Sequence, residues 1–370
     1  MKVIISGGGT GGHIYPALSI ADALKRKYKG TQILYIGTNN GLESSLVPKH
    51  GYRFEAIRVK GFQRRLSIDT LRSAVELFKG LYDAERLVRR YRPDIVVGTG
   101  GYVAGPVLMA AHLKGIPILI HEQNVLPGAT NRILGRFAGA IAVSFEEAVQ
   151  YFRKKDRVFV TGNPIRQEIM GGSRVAAVKE FGFSPELPMV LCFGGSKGSA
   201  SLNRAMTGFI GRMSGGDGFQ LLHATGEYHY RAFMEGLREK GISTEGKKNI
   251  KIVPYIHRMP QALSAADLVI TSAGAITIAE ITAIGLPAVL VPKSYVAGNH
   301  QEYNARALEK RGAAVVLPEN RLDGDVLYEK VSGLIRDKEG LLVMRRAGKE
   351  MGKTDAAERI CDIIVKMVNR

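Results

Sequence analysis

Ser6-Gly7-Gly8-Gly9-Thr10-Gly11-Gly12-His13 stands between Val3-Ile4-Ile5, an apolar run of buried-strand length, and residues 14–28, where Leu18, Ala21 and Leu24 recur at helical spacing. The order is strand, glycine loop, helix. Five glycines in six positions free the backbone for positive φ and let its N–H groups approach a ligand, while the helix start adds partial positive charge. A phosphate or a polar sugar suits that environment. Gly7, Gly9 and Gly12 also satisfy G-x-G-x-x-G, but the acidic residue that would grip a ribose after the second strand is missing. Gln32-Ile33-Leu34-Tyr35-Ile36 runs instead into Gly37-Thr38-Asn39-Asn40. A nicotinamide-dinucleotide site is therefore disfavoured. His13 is unexpected at the exit of a phosphate turn, and it reads either as a local hydrogen-bonding residue or as a functional one.

With 370 residues and 45% hydrophobic content, the chain can bury two ordinary cores. Two domains are expected. Cys192 in an apolar run and Cys361 in a terminal helix resemble neither a metal pair nor a disulfide framework, which fits a reducing compartment. The start of the chain lacks the pattern of a signal peptide. Pro106, His112, Lys114 and Pro117 interrupt residues 103–120, the most apolar stretch, so neither secretion nor a membrane span is expected. The net charge of +18 implies an anionic partner: nucleic acid, a phosphate-bearing substrate or an acidic membrane. Nucleic acid is disfavoured, since no helix-turn-helix, zinc-ligand or aromatic-rich strand signature occurs and the chain has no Trp.

Strand candidates at residues 52–56, 94–98, 117–120 and 140–143 alternate with helical segments, the pattern of a parallel sheet covered on both faces. Ligands bind such sheets beyond the carboxyl ends of the strands. The glycine loop, Thr99-Gly100-Gly101-Tyr102 and His121-Glu122-Gln123-Asn124 would then line one crevice. Asn124 could equally serve a turn or a helix cap. Thr161-Gly162-Asn163-Pro164-Ile165-Arg166 breaks regular structure and marks the junction, so the domains are expected to be 1–163 and 164–370. The same grammar then restarts with a strand at 188–193, a second glycine loop (Gly194-Gly195-Ser196-Lys197-Gly198-Ser199) and a helix over 202–213. Neither loop matches a P-loop. Further strands are expected at 220–223, 250–253, 268–271 and 287–291. Between the last two, Ser272-Ala273-Gly274-Ala275-Ile276-Thr277-Ile278-Ala279-Glu280 opens a helix whose first N–H groups can hold a phosphate. Glu280 lies roughly 7–8 Å further along the axis, a separation that suits a nucleotide's phosphate and ribose diol, although a solvated surface glutamate would have the same spacing.

These motifs, with Gly162-Asn-Pro-Ile-Arg166 and His300-Gln301-x-x-Asn304-Ala305, resemble in order those of the bacterial peptidoglycan glycosyltransferases that make lipid II, over nearly the whole chain. The resemblance implies a glycosyltransferase B-type fold, an α/β architecture of two Rossmann-like domains facing across a cleft. It also implies inverting transfer of N-acetylglucosamine from UDP-GlcNAc to the 4-hydroxyl of MurNAc-pentapeptide on undecaprenyl pyrophosphate (lipid I). For single residues it implies that Thr10, Gly11 and Gly12 line the cleft near the diphosphates and sugars and that Asn124 holds the donor sugar from the N-terminal side. Arg166 and Ser196 would serve the nucleotide and its pyrophosphate, and Ile256 the uracil. Ala275, Ile276, Thr277, Ile278 and Ala279 would form the phosphate-binding turn and helix, Glu280 would hold the ribose, and Gln301 the sugar. The loop Pro292-Lys293-Ser294-Tyr295-Val296-Ala297-Gly298-Asn299 departs from the family pattern, which weakens the transfer of its sugar contacts.

Inverting transfer needs a base for the acceptor proton and stabilisation of the departing UDP. Backbone N–H groups and helix starts supply the latter, so neither metal nor cofactor is expected, and Asp323-Gly324-Asp325 reads as a helix cap. His13, His121 and Glu122 are the candidate bases. His13 is preferred because imidazole titrates near neutral pH, and Glu122 stands in reserve. Residues 58–92 hold ten Lys/Arg and four Asp/Glu. Their apolar positions Ile68, Leu71, Ala74, Val75, Leu77, Phe78, Leu81, Tyr82 and Val88 cover about 200° of a helix, wider than the ~100° that one-sided packing needs. Two-sided core packing would explain that arc. With the resemblance, it points instead to an anionic membrane surface and a peripheral position on the cytoplasmic face of the plasma membrane. The competing readings are a UDP-GlcNAc 2-epimerase of the same architecture and a sugar-nucleotide-binding regulatory subunit.

Overall fold

The computed structural model describes residues 1–59, 68–195, 197–213 and 217–369, with side chains excepted at 68–75 and 297. Two compact units emerge, one of Met1–Ile165 with Lys353–Arg370 and one of Arg166–Gly352.

The first unit is a seven-stranded parallel sheet: β1 (Lys2–Gly7), β2 (Gln32–Gly37), β3 (Arg53–Ala56), β4 (Ile95–Gly100), β5 (Ile118–Glu122), β6 (Ala140–Val143) and β7 (Val158–Val160). Their order is β3-β2-β1-β4-β5-β6-β7. In β1, Val3 aligns with Ile33 on one side and with Ile95 on the other. Successive residues of β1 face opposite ways, so both sheet faces need cover. Ile4 enters a cluster with Val88, Val107 and Leu108, on the side of α3 (Ile68–Tyr91) and α4 (Ala104–Leu113). Val3 and Ile5 enter another with Ile14, Leu18 and Leu24 of α1 (Gly11–Lys27). The short helices α2 (Glu43–Lys49) and α5 (Ala129–Leu134) follow β2 and β5.

The expected boundary is corrected at the end of the chain. The C-terminal helix (Ala356–Val368) buries Ala357, Ile360, Cys361 and Ile364 in the cluster under α1, so residues 353–370 belong with the first unit. Burying that stripe outweighs continuity with the preceding helix.

The second unit has six parallel strands: β8 (Met189–Phe193), β9 (Gln220–Ala224), β10 (Ile250–Val253), β11 (Leu268–Thr271), β12 (Ala288–Leu290) and β13 (Ala314–Val316). Their order is β10-β9-β8-β11-β12-β13. Its helices are α6 (Arg174–Glu180), α7 (Ala200–Arg212), α8 (Tyr230–Glu239), α9 (Met259–Ala265), α10 (Ala275–Ile284), α11 (His300–Lys310), α12 (Gly324–Arg336) and α13 (Lys338–Met351). Asp323 caps α12 by accepting from Asp325 N at 2.8 Å, as its spacing suggests. Each sheet reverses strand order beside its first strand, between β1 and β4 and between β8 and β11. Doubly wound sheets bind ligands at such a reversal.

Of the wide apolar arc, the side chains of Ile68, Leu71, Ala74 and Val75 lie outside the described residues. Val88 is fully buried and Leu81 packs on the core, whereas Phe78 and Tyr82 are 72% and 65% exposed. Among the described residues, no helix is long and apolar enough to cross a membrane.

Candidate active site

In the first unit, the loop after β1 meets the loop after β4. Gly8 N–H donates to Gly100 O at 3.3 Å. Gly101 has φ +82, and a Cβ there would stand 2.4 Å from Gly8 O, so the close approach requires glycine. Behind the loop lies Glu43, fully buried in the first turn of α2. It accepts from Gly9 N at 3.2 Å, Thr38 N at 3.1 Å and Thr38 Oγ1 at 2.7 Å. Sequence reading missed this residue; its only signal was an acid at a helix start just beyond a Gly-Thr-Asn-Asn turn. Thr10 and Gly12 are exposed and Gly11 half-buried, and α1 begins without a side-chain cap or an acidic residue in its first turn. Its first N–H groups and helix dipole favour an anion or sugar oxygens.

His13 is half-buried, with Nδ1 3.0 Å from both Thr99 O and Gln123 Oε1. Two oxygen acceptors place the ring proton on Nδ1, which leaves the Nε2 lone pair of the neutral imidazole as the proton acceptor. Gln123 is oriented in turn: its Nε2 donates to Thr99 O at 2.7 Å and to His121 Nδ1 at 3.0 Å. His121 then donates from Nε2 to Gly162 O at 3.3 Å. Burial lowers its pKa to about 4, so His121 is a neutral internal strut, unsuited to the role of surface base.

Glu122 differs from the expectation that made it the reserve base. It is 1% exposed, and both carboxylate oxygens are occupied. Oε1 accepts from Asn124 N at 3.0 Å and Asn124 Nδ2 at 3.2 Å, while Oε2 accepts from Gly128 N at 3.0 Å and Asn131 Nδ2 at 2.8 Å. A carboxylate holding four donors away from solvent shapes the loop after β5 and is poorly placed to take a substrate proton. Through it, Asn124, next in sequence to Gln123, is held in place.

In the second unit, α10 starts at the order reversal without a side-chain cap or an acid in its first turn. Ala275 and Ile278 are buried, whereas Ile276, Thr277 and Ala279 are half-buried. Glu280 faces Arg166: Oε1 accepts from Arg166 Nε at 3.0 Å and from a terminal guanidinium nitrogen at 2.8 Å. The carboxylate is buried, and that burial raises its pKa against the opposing pull of Arg166. Among the described residues Oε2 has no hydrogen-bond partner. Gln301, at the start of α11, accepts from Lys293 N at 2.9 Å. Lys293 is a second residue that sequence reading missed. Ile256 is buried on the connection after β10, at the sheet edge. Ser196 lies outside the described residues.

Residues 3–143 match the glycosyltransferase family 28 N-terminal domain and residues 189–360 match the family's C-terminal domain. The chain belongs to glycosyltransferase family 28. A curated relative from Acetivibrio thermocellus is named UDP-N-acetylglucosamine–N-acetylmuramyl-(pentapeptide) pyrophosphoryl-undecaprenol N-acetylglucosamine transferase. It is 49% identical over 364 residues, covering 98% of this chain and 97% of its own. The crystal structure of Acinetobacter baumannii MurG aligns with a TM-score of 0.78 at 28% identity over 99% of both chains. UDP-GlcNAc 2-epimerase from Neisseria meningitidis aligns with a TM-score of 0.71 at 12% identity, over 99% of this chain and 100% of its own, a likeness of fold alone. Family 28 membership therefore carries the two-unit architecture and a glycosyltransferase, while the epimerase reading keeps only the fold.

Proposed function

We propose that this chain transfers N-acetylglucosamine from UDP-GlcNAc to the C4 hydroxyl of MurNAc-pentapeptide on undecaprenyl pyrophosphate, with inversion, converting lipid I to lipid II in peptidoglycan synthesis. The observation that carries this reading is the end-to-end likeness at 49% identity to a relative of that name. The paired reversal-point sites support it. In the first unit, Thr10, Gly11 and Gly12 receive acceptor oxygens, Asn124 steadies the donor sugar, and His13 Nε2 takes the C4 hydroxyl proton. In the second, Glu280 Oε2 accepts from the ribose hydroxyls. Arg166, Ser196 and the start of α10 (residues 275–279) hold the diphosphate as negative charge develops on the leaving UDP. Ile256 contacts the uracil and Gln301 the sugar. No step calls on a cofactor. Incubation with UDP-GlcNAc alone tests the class: a transferase leaves the nucleotide sugar unchanged until an acceptor is added, whereas an epimerase converts it.

A peripheral place on the cytoplasmic face of the plasma membrane belongs to the same reading. Exposed Phe78 and Tyr82 stand one turn apart on α3, Leu113 is 67% exposed on the adjoining α4, and Ile133 is 57% exposed on α5, which packs on α4. Beside Ile133, Arg132, Arg136 and Arg153 line a cavity of about 440 Å³ with Tyr151 and Phe152. Among the described residues none of these guanidiniums forms an ion pair. Apolar side chains flanked by unpaired arginines suit an anionic lipid surface.

A further inference from the structure

Lys293 has no part in the roles assigned above, yet its side chain is built into the loop after β8. Its Nζ donates to Gly194 O and to Gly198 O, each at 2.9 Å, while its backbone N–H holds Gln301. Among the described residues, no carboxylate lies within ion-pair distance of that ammonium. The nearby Glu319 is engaged elsewhere, accepting from Ser294 N at 2.8 Å, Ser294 Oγ at 2.5 Å and Ser201 Oγ. At Gly198 the backbone packs closely, since it has φ +77 and a Cβ there would stand 2.1 Å from Thr225 O.

The two glycine loops are alike in sequence and opposite in what lies behind them. The first has a buried carboxylate, Glu43, bonded to Gly9 N–H, so an anion sits beneath it and one of its donors is taken. The second has an ammonium beneath it, bonded to two of its carbonyls. Carbonyl oxygens repel a phosphate, so engaging two of them while adding positive charge biases the second loop toward an anion. We propose that Lys293 is a positioning residue that makes the loop after β8 the seat of the donor's diphosphate and ties that seat to Gln301. The inference rests on the reading of the second unit as the UDP-GlcNAc site.

The test compares calorimetric binding of UDP and of uridine, which lacks the diphosphate, to the full chain and to Lys293→Met and Lys293→Arg. Lys293→Met is expected to weaken UDP about tenfold or more and to change uridine by less than about twofold, with Lys293→Arg restoring most of the loss. The dependence of UDP affinity on salt should also become shallower in Lys293→Met. Should Lys293→Met fail to unfold cooperatively, Lys293→Gln, neutral but still a donor, takes its place in the same comparison. Equal weakening of UDP and uridine would assign Lys293 to the fold alone, and unchanged UDP affinity would remove it from the site; either overturns the proposal. A parent protein that binds neither UDP nor uridine would overturn the donor-site reading beneath it.

Discussion

Glu280→Ala separates a binding carboxylate from a structural ion pair, because the two readings move stability and donor affinity differently. The native carboxylate is 7% exposed, and Arg166, its one ion-pair partner among the described residues, is 39% exposed. Burial raises the Glu280 pKa despite that partner, so the folded chain holds the proton more tightly than the unfolded chain. Ionisation at neutral pH therefore opposes folding, and the contribution becomes more unfavourable as pH rises through the folded value. Removing the group relieves that penalty, leaves a guanidinium that water can reach, and places a strong helix former inside α10. The melting temperature is expected to hold or to rise. Donor binding should suffer instead: loss of charge-assisted hydrogen bonds to the ribose costs roughly 1.5–3 kcal/mol, or about 10- to 150-fold in KM for UDP-GlcNAc. Steady-state kinetics with varied UDP-GlcNAc, alongside thermal unfolding, reads both quantities. A variant that loses several degrees of melting temperature while keeping its KM would remove Glu280 from donor binding and make the Arg166 pair structural.

Other consequences follow from the same geometry. His13→Ala is expected to lower kcat by about 10²–10⁴ with little change in UDP-GlcNAc binding, and a folded variant turning over within a few fold of the parent would return His13 to a turn-forming role. Glu122→Ala strands the backbone donors of Asn124 and Gly128 and the Asn131 amide, so urea unfolding should register a loss of at least about 3 kcal/mol; a stable variant whose pH–rate profile has lost a limb would instead restore Glu122 as the base. Phe78→Ser combined with Tyr82→Ser should reduce sedimentation with anionic vesicles at an unchanged melting temperature, since both side chains are exposed; Leu81 is left intact because it packs on the core. Burial lowers both His121 and His223 to about 4, so between about 6.5 and 4 the unfolded chain binds more protons and stability falls as pH falls, by up to roughly 3 kcal/mol per residue. Urea midpoints measured across that window should decline less steeply in His223→Phe than in the parent.

The sheets were legible because parallel strands buried on both faces read as short apolar runs, and each glycine loop announced the helix after it. The three-residue β13 escaped notice. The C-terminal helix was legible as a helix, but its apolar stripe does not say which core receives it. The candidate site residues divide in the same way. Thr10, His13 and Glu280 stand next to turns whose composition betrays them. Glu43 and Lys293 act on glycines 34 and 99 positions away, and no local spacing reports such pairings. The four donors on Glu122 were not legible, because a carboxylate closing a strand has the same sequence whether it faces a substrate or clamps its own loop.

Incubation with UDP-GlcNAc and a short-chain, water-soluble lipid I analogue tests whether the chain is the lipid II-forming transferase. UDP should be released in equal amount to a new disaccharide whose β-linkage to the C4 position of the muramyl sugar is read by NMR, with no turnover when the acceptor is omitted. Consumption of UDP-GlcNAc without acceptor, or a folded, UDP-binding protein that forms no disaccharide, would contradict it.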